Sequence, residues 1–220
     1  KNCNTVVMNG RPMQKDIEEA LQIPVKLAND ANCFALAETL LGAGREYPNA
    51  ELVFGVILGT GVGGGLVAHN RIIEGVHGIA GEWGHNILEE NGESCYCGKR
   101  GCVETVISGT ALENYYLRLS GSKLQLSEIL VNHSTGNDEF ATQAIERLLE
   151  FYGRAVATLI NVLDPNLIVI GGGVGNIDLL YDEGYGRIKK YLFNPGELKT
   201  PILKPALGDS AGVFGAAFLP

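Results

Sequence analysis

The chain is predicted to be an α/β protein built on a mixed sheet. Two hydrophobic β runs, Leu52–Leu58 and Asn166–Ile170, each lead into a glycine-rich loop. Between them Asp138–Leu163 carries Phe140, Ala144, Ile145, Leu148, Leu149, Tyr152, Val156, Leu159, Ile160 and Leu163 at helical spacing. A strand, a turn and a second strand (Leu66–Ala68, Asn70-Arg71, Ile72-Ile73) follow the first glycine loop, so part of the sheet is antiparallel.

The remaining elements follow from the same signals. Pro12–Leu21 is expected as a short amphipathic helix with Ile17, Ala20 and Leu21 on one side. Ile23–Leu27 is predicted as a strand, and Pro24 assigns it to a strand start or an edge. Ala31–Leu41 has high helix propensity, and Gly42 and Gly44 end it. Gly109–Leu119 and Leu126–Val131 are expected helices, and Asp164-Pro165 stops the long one. A helix over 177–192, a strand at Ile202–Lys204 and a small-residue helix from Gly208-Asp209-Ser210-Ala211-Gly212 through Phe218 complete the chain.

Composition bounds the function. With 45% hydrophobic and 19% charged residues over 220 positions, the chain has the make-up of an ordinary soluble globular protein. A net charge of −8 argues against a nucleic-acid surface, which needs clustered Lys and Arg. No apolar run reaches the roughly 18 residues a membrane span needs, so no membrane partner and no leader peptide are expected. Five cysteines cannot all pair, and Cys95, Cys97 and Cys102 cluster, which favours metal ligation and a reducing cytoplasm. Cys3 and Cys33 are expected to be buried spectators. The chain opens on Lys1 and runs into Thr5-Val6-Val7-Met8, so it is expected to begin inside a larger protein.

The most specific motif is H-x9-C-x-C-x4-C, formed by His85, Cys95, Cys97 and Cys102. One imidazole and three thiolates complete a tetrahedral zinc site and leave no open position for water, so the expected zinc is structural. Zinc on one nitrogen of His85 would leave its other N–H free to donate to a ligand hydroxyl. Glu82 and Glu104 flank the motif, as ligand contacts or as solvated carboxylates. Gly59, Gly61 and Gly64 satisfy G-x-G-x-x-G, yet a returning strand follows where the dinucleotide fingerprint needs a helix. A glycine-rich hairpin can still offer N–H groups, and Thr60 a hydroxyl, to phosphate oxygens; the alternative is a bulged hairpin without a ligand. Gly171, Gly172 and Gly173 likewise suit a flat ligand or a plain turn. Asp30, between a strand and a helix beside Asn29, is either an N-cap or a general base. Trp83 is expected in packing, and His69, His77 and His133 at the surface or in turns.

Gly84-His85, the stretch Cys95-Tyr96-Cys97-Gly98-Lys99-Arg100-Gly101-Cys102-Val103-Glu104 and the turn Asn29-Asp30-Ala31-Asn32 resemble the ROK family of repressors, open reading frames and kinases. The resemblance implies an actin-like, ribonuclease-H-like two-domain fold that phosphorylates a sugar hydroxyl with ATP and magnesium. It implies Asp30 as catalytic base, Asn29, Glu82, His85 and Glu104 as sugar contacts, and zinc on His85, Cys95, Cys97 and Cys102. Gly59-Thr60-Gly61 and Gly171-Gly172-Gly173 would seat the nucleotide. By the same comparison 1–44 with 209–220 would form the remainder of a small domain, 45–208 a large one, and the assembly a homodimer. The wording of the motifs favours a fructose, mannose or glucose substrate, with an N-acetylhexosamine as the alternative. Family kinases open with a D-x-G-G-T loop that this sequence lacks, so the chain is expected to be a fragment with little activity alone. A sugar-sensing repressor and a zinc-stabilised interaction module are the rival readings.

Overall fold

The computed structural model describes residues 6–8, 10–194 and 197–219 and centres on a five-stranded sheet of order β3-β2-β1-β4-β5. The strands are β1 (Leu52–Leu58), β2 (Val62–Ala68), β3 (Arg71–Ile72), β4 (Leu167–Gly171) and β5 (Ile202–Leu203). β1 pairs antiparallel with β2 and parallel with β4, while β5 continues the parallel side. The mixed α/β architecture is as expected.

Strand alternation separates two cores. Phe54, Val56 and Leu58 join Ile168, Ile170 and Ile202 on one face. That face is covered by α3 (Glu104–Ile107), α4 (Gly109–Ser120), α5 (Leu126–Thr135), α6 (Glu139–Leu163) and α7 (Glu183–Tyr191). Val53, Val67, Leu167 and Val169 form the other face, beneath α2 (Asp30–Leu40) and α8 (Ala211–Ala217). The long α6 buries Ala144, Ile145, Leu148, Leu149, Tyr152, Val156 and Ile160 along one stripe. Asp138 starts it by accepting the N–H groups of Phe140 (2.9 Å) and Ala141 (3.1 Å).

Glycines on β1 and β2 let α2 lie directly on backbone. A Cβ at Gly55 would stand 2.6 Å from Ala35 Cβ, and one at Gly65 2.4 Å from the Ala31 carbonyl oxygen. Gly64, pointing to the opposite face, would meet the Gly81 carbonyl at 2.5 Å. Gly63, Gly64 and Gly65 therefore belong to β2, which begins at Val62, rather than to a loop.

Four further expectations shift. Ile23–Leu27 forms no strand: Pro24 has no N–H to give, and Val25 N–H donates to Glu18 Oε1 at 3.0 Å instead of to a neighbouring strand. α1 (Met13–Leu21) is amphipathic in sequence but buries none of its residues. The β2–β3 turn is His69-Asn70, both at positive φ (50° and 63°), with Ala68 paired to Arg71. The helix expected over 177–192 divides into a 3-10 turn at Asp178–Leu180 and α7. Cys33 is buried as expected, and Cys3 lies outside the described residues. Among the described residues no helix is long and apolar enough to cross a membrane.

Candidate functional site

The register of α2 on the sheet determines where Asp30 sits. A Cβ at Gly63 would meet the Ala31 side chain at 3.3 Å, while Ala35 covers Gly55 and Phe34 reaches Gly171. Because Gly63 is the second residue of β2 and pairs with Ile57 near the end of β1, α2 begins at the carboxyl edge of β1 and β4, the edge where open α/β sheets bind ligands. Both glycine loops leave the sheet there. Gly172 is pressed against the end of β1, where a Cβ would meet the Leu58 carbonyl at 2.3 Å. Gly109 N–H, at the start of α4, donates to the Gly59 carbonyl at 2.8 Å.

Asn29, not Asp30, caps α2. Its Oδ1 accepts the N–H groups of Ala31 (2.9 Å) and Asn32 (3.4 Å). Asp30 is the first helical residue and is exposed, with Oδ1 also 2.9 Å from Ala31 N and Oδ2 left for another partner.

Glu104 opens α3 and reaches back to the hairpin. Its Oε2 accepts Val62 N–H at 3.0 Å and lies where a Cβ of Gly61 would be, 2.6 Å away. Thr60, Gly61 and Glu104 thus share a cleft of about 540 Å³ with Tyr96, Thr110 and Asn114. The first turn of α4, capped by Ser108 through Ala111 N–H (3.1 Å), turns its positive end towards that cleft.

The four ligand atoms of His85, Cys95, Cys97 and Cys102 all lie within 4.8 Å of one another. Cys95 Sγ is 3.5 Å from His85 Nδ1, and Cys97 Sγ is 3.6 Å from Cys102 Sγ. Ligands about 2.3 Å from a central zinc in tetrahedral array stand about 3.8 Å apart, so the donor set fits that ion in type, number and spacing. Burial pushes the Cys102 thiol up to about 12 and also raises Cys95. For Cys97 burial acts upward too, but the Lys99 N–H and the two neighbouring thiols outweigh it and its pKa falls. A cation that takes this site must displace protons from the raised thiols.

Nδ1 of His85 faces the sulfurs, and Nε2 faces the Tyr96 hydroxyl at 2.9 Å. That nitrogen is therefore not free, contrary to expectation. The two rings meet edge to face, centroids 5.0 Å apart. Glu82 Oε2 lies 4.0 Å from the same nitrogen. Partial desolvation of the otherwise exposed phenol, then the charges of Glu104 and Glu82, raise Tyr96. Glu82 and His85 open not onto the Thr60–Glu104 cleft but onto a second groove of about 590 Å³, lined also by Ile79, Leu159 and Val162.

Of the anticipated residues, then, the structure joins Thr60, Gly61 and Glu104 in one cleft and Glu82 with His85 beside the thiols. Asn29, Asp30 and Gly171–Gly173 share the edge without lining that cleft. Trp83 is in the core, its indole N–H donating to the Gly63 carbonyl at 2.9 Å. Tyr96 was missed; its sequence signal is an aromatic ring held between two cysteines of the expected zinc motif. Glu38 was missed as well, because a glutamate in a helix reads as solvated. It is fully buried and accepts N–H groups from Ala43 (2.9 Å), Ala206 (3.0 Å) and Leu207 (2.8 Å), tying α2 to the segment before α8.

Residues 1–220 match the ROK family. An N-acetyl-D-glucosamine kinase of Vibrio atlanticus is 38% identical over 226 residues, spanning 98% of this chain and 73% of that protein. Among solved structures, a ROK hexokinase from Thermus thermophilus superposes with a TM-score of 0.85 at 33% identity, covering 94% of this chain and 68% of that one. A ROK family glucokinase from Streptomyces griseus, in complex with glucose and AMPPNP, gives 0.77 at 30% identity over 94% of this chain and 71% of its own.

Proposed function

Since the chain belongs to the ROK family, with sugar kinases among its relatives, we propose that it phosphorylates a hydroxyl of an N-acetylhexosamine with ATP. The supporting observation is convergence: the start of α2, the Thr60-Gly61 turn and the Glu104 carboxylate come to one edge of the sheet. The N-acetylated sugar takes precedence over fructose, mannose or glucose because the 38% identical relative is named for it.

In this reading the exposed Asp30 accepts the proton of the attacking hydroxyl. The oxygen bonds to the γ-phosphorus of ATP, the bond to the bridging oxygen breaks, and ADP leaves. Backbone N–H groups around Gly59-Thr60-Gly61 and Gly171-Gly172-Gly173 seat the nucleotide, which arrives with magnesium. Glu82, His85, Glu104 and Asn29 hold sugar hydroxyls. His85, Cys95, Cys97 and Cys102 would hold a zinc that fixes the loop. Residues 1–44 with 209–220 would be the remainder of a small domain and 45–208 a large one, with α2 and α8 packed on the sheet of the larger part. A cytoplasmic setting suits the reduced thiols, and a homodimer is the assembly we propose.

The test is a coupled ADP-release assay on the full-length protein with N-acetylglucosamine, N-acetylmannosamine, glucose, mannose and fructose. An N-acetylhexosamine is expected to have the highest kcat/KM. Turnover confined to the unsubstituted hexoses would refute the substrate assignment, and none with any sugar would refute the activity.

A further inference from the structure

Three residues, Cys95, Tyr96 and Cys97, place a phenol against the one nitrogen of His85 that does not face a sulfur. We propose that Tyr96 is an internal competitor of the sugar: its hydroxyl occupies the His85 Nε2 that a sugar hydroxyl needs, so Tyr96 sets sugar affinity. The inference rests on the reading of His85 as a sugar contact.

The geometry gives the competition its form. Tyr96 backbone is held by the turn in which Cys95 N–H donates to the Lys99 carbonyl (2.8 Å) and Gly98 N–H to the Cys95 carbonyl (3.0 Å). Its side chain is otherwise open; the residue is 68% exposed. The ring can therefore swing about its first side-chain torsion at little packing cost, whereas the backbone cannot retreat. In the observed rotamer Tyr96 touches His85 and also lines the Thr60–Glu104 cleft, which His85 does not. Swinging it aside would expose Nε2 to that cleft and bring His85 and Glu104 to one ligand. The phenol would remain a movable wall of the same cavity. Tyr96 is thus a positioning residue that acts through His85.

Removing the hydroxyl while keeping the ring isolates the effect. In the full-length protein, Tyr96→Phe should lower KM for the preferred N-acetylhexosamine by about three- to tenfold, the equivalent of one modest hydrogen bond no longer to be broken. The kcat should stay within about twofold, and the dissociation constant of that sugar, measured by titration calorimetry without nucleotide, should fall in parallel. A merely structural tyrosine would not give this split. Unchanged or raised KM in Tyr96→Phe, with normal sugar binding by the wild type, overturns the inference alone. A wild-type protein that binds no hexose overturns the proposed function and this inference with it.

Discussion

At the level of single side chains, the capping role considered for Asp30 falls to its neighbour. Asn29 satisfies the first N–H groups of α2, so the Asp30 carboxylate is not consumed in capping. Asn29→Ala should cost about 1 kcal/mol of stability, read from denaturant unfolding. Gly61 shows the reverse economy, because the space of its missing side chain is filled by the Glu104 carboxylate. Gly61→Ala should displace Glu104 and lower kcat/KM at least about tenfold, since small misplacements of a binding group are costly. A kinetic profile like that of the wild type would show that the hairpin tolerates the shift. The thiols carry a pH prediction. Cys95 and Cys102 have pKa values raised chiefly by burial, so metal binding must release their protons and affinity must climb with pH. Zinc transfer to a chromogenic chelator should be faster at about pH 6 than at about pH 8; the opposite order would argue against this ligand set.

At the level of elements, α2 is held from both ends. Ala31 and Ala35 rest on the glycines of β1 and β2, and buried Glu38 accepts three backbone N–H groups from the loops at its far end. Glu38→Ala should leave those donors without partners and cost about 3 kcal/mol, a loss of roughly 6–12 °C in melting temperature. A change below about 1 kcal/mol would mean that water replaces the carboxylate. These cases also show what a sequence can reveal. α6 and the strands β1 and β4 were legible because a long helical stripe and short buried apolar runs are local signals. Ile23–Leu27 was not, because a strand exists only beside a partner and Val25 found a glutamate side chain instead. The start of β2 was hidden because Gly63, Gly64 and Gly65 look like a loop until the helix and the turn packed on them are seen. The spatial cluster of His85, Cys95, Cys97 and Cys102 was readable from spacing. The pairing of His85 with Tyr96 was not, since nothing in the spacing says which way a ring points.

Across the whole molecule, two ion pairs among the described residues fasten the cysteine-bearing loop to the helical layer, Arg118 of α4 with Glu93 (3.4 Å) and Arg147 of α6 with Glu89. Arg147 on α6 donates to Glu89 at 2.7 Å while its guanidinium lies over the rings of Tyr115 and Phe151, each at 4.6 Å. The hydrogen bond from Arg147 holds the Glu89 carboxyl below its ordinary value, against an opposing effect of burial. A lowered carboxylate contributes fully above the ordinary glutamate range and loses that contribution as pH falls through the lowered value. Glu89→Gln should therefore flatten the acid limb of the stability-versus-pH curve, which chemical denaturation at a series of pH values would show; an unaltered limb would remove Glu89 from the account. The larger arrangement is a division of labour. The α4–α7 layer packs on one face of the sheet, the α2–α8 layer on the other presents Asn29 and Asp30, and the sheet's carboxyl edge brings them to the Thr60-Gly61 hairpin. The phosphotransferase proposal depends on Asp30 being the proton acceptor at that edge. The most direct test is Asp30→Asn in the full-length protein, with initial rates and calorimetric sugar binding measured on the same preparation. The proposal predicts a fall in kcat of about a hundredfold or more, with the sugar dissociation constant within about threefold of the wild type. A kcat within a few-fold of the wild type would contradict it.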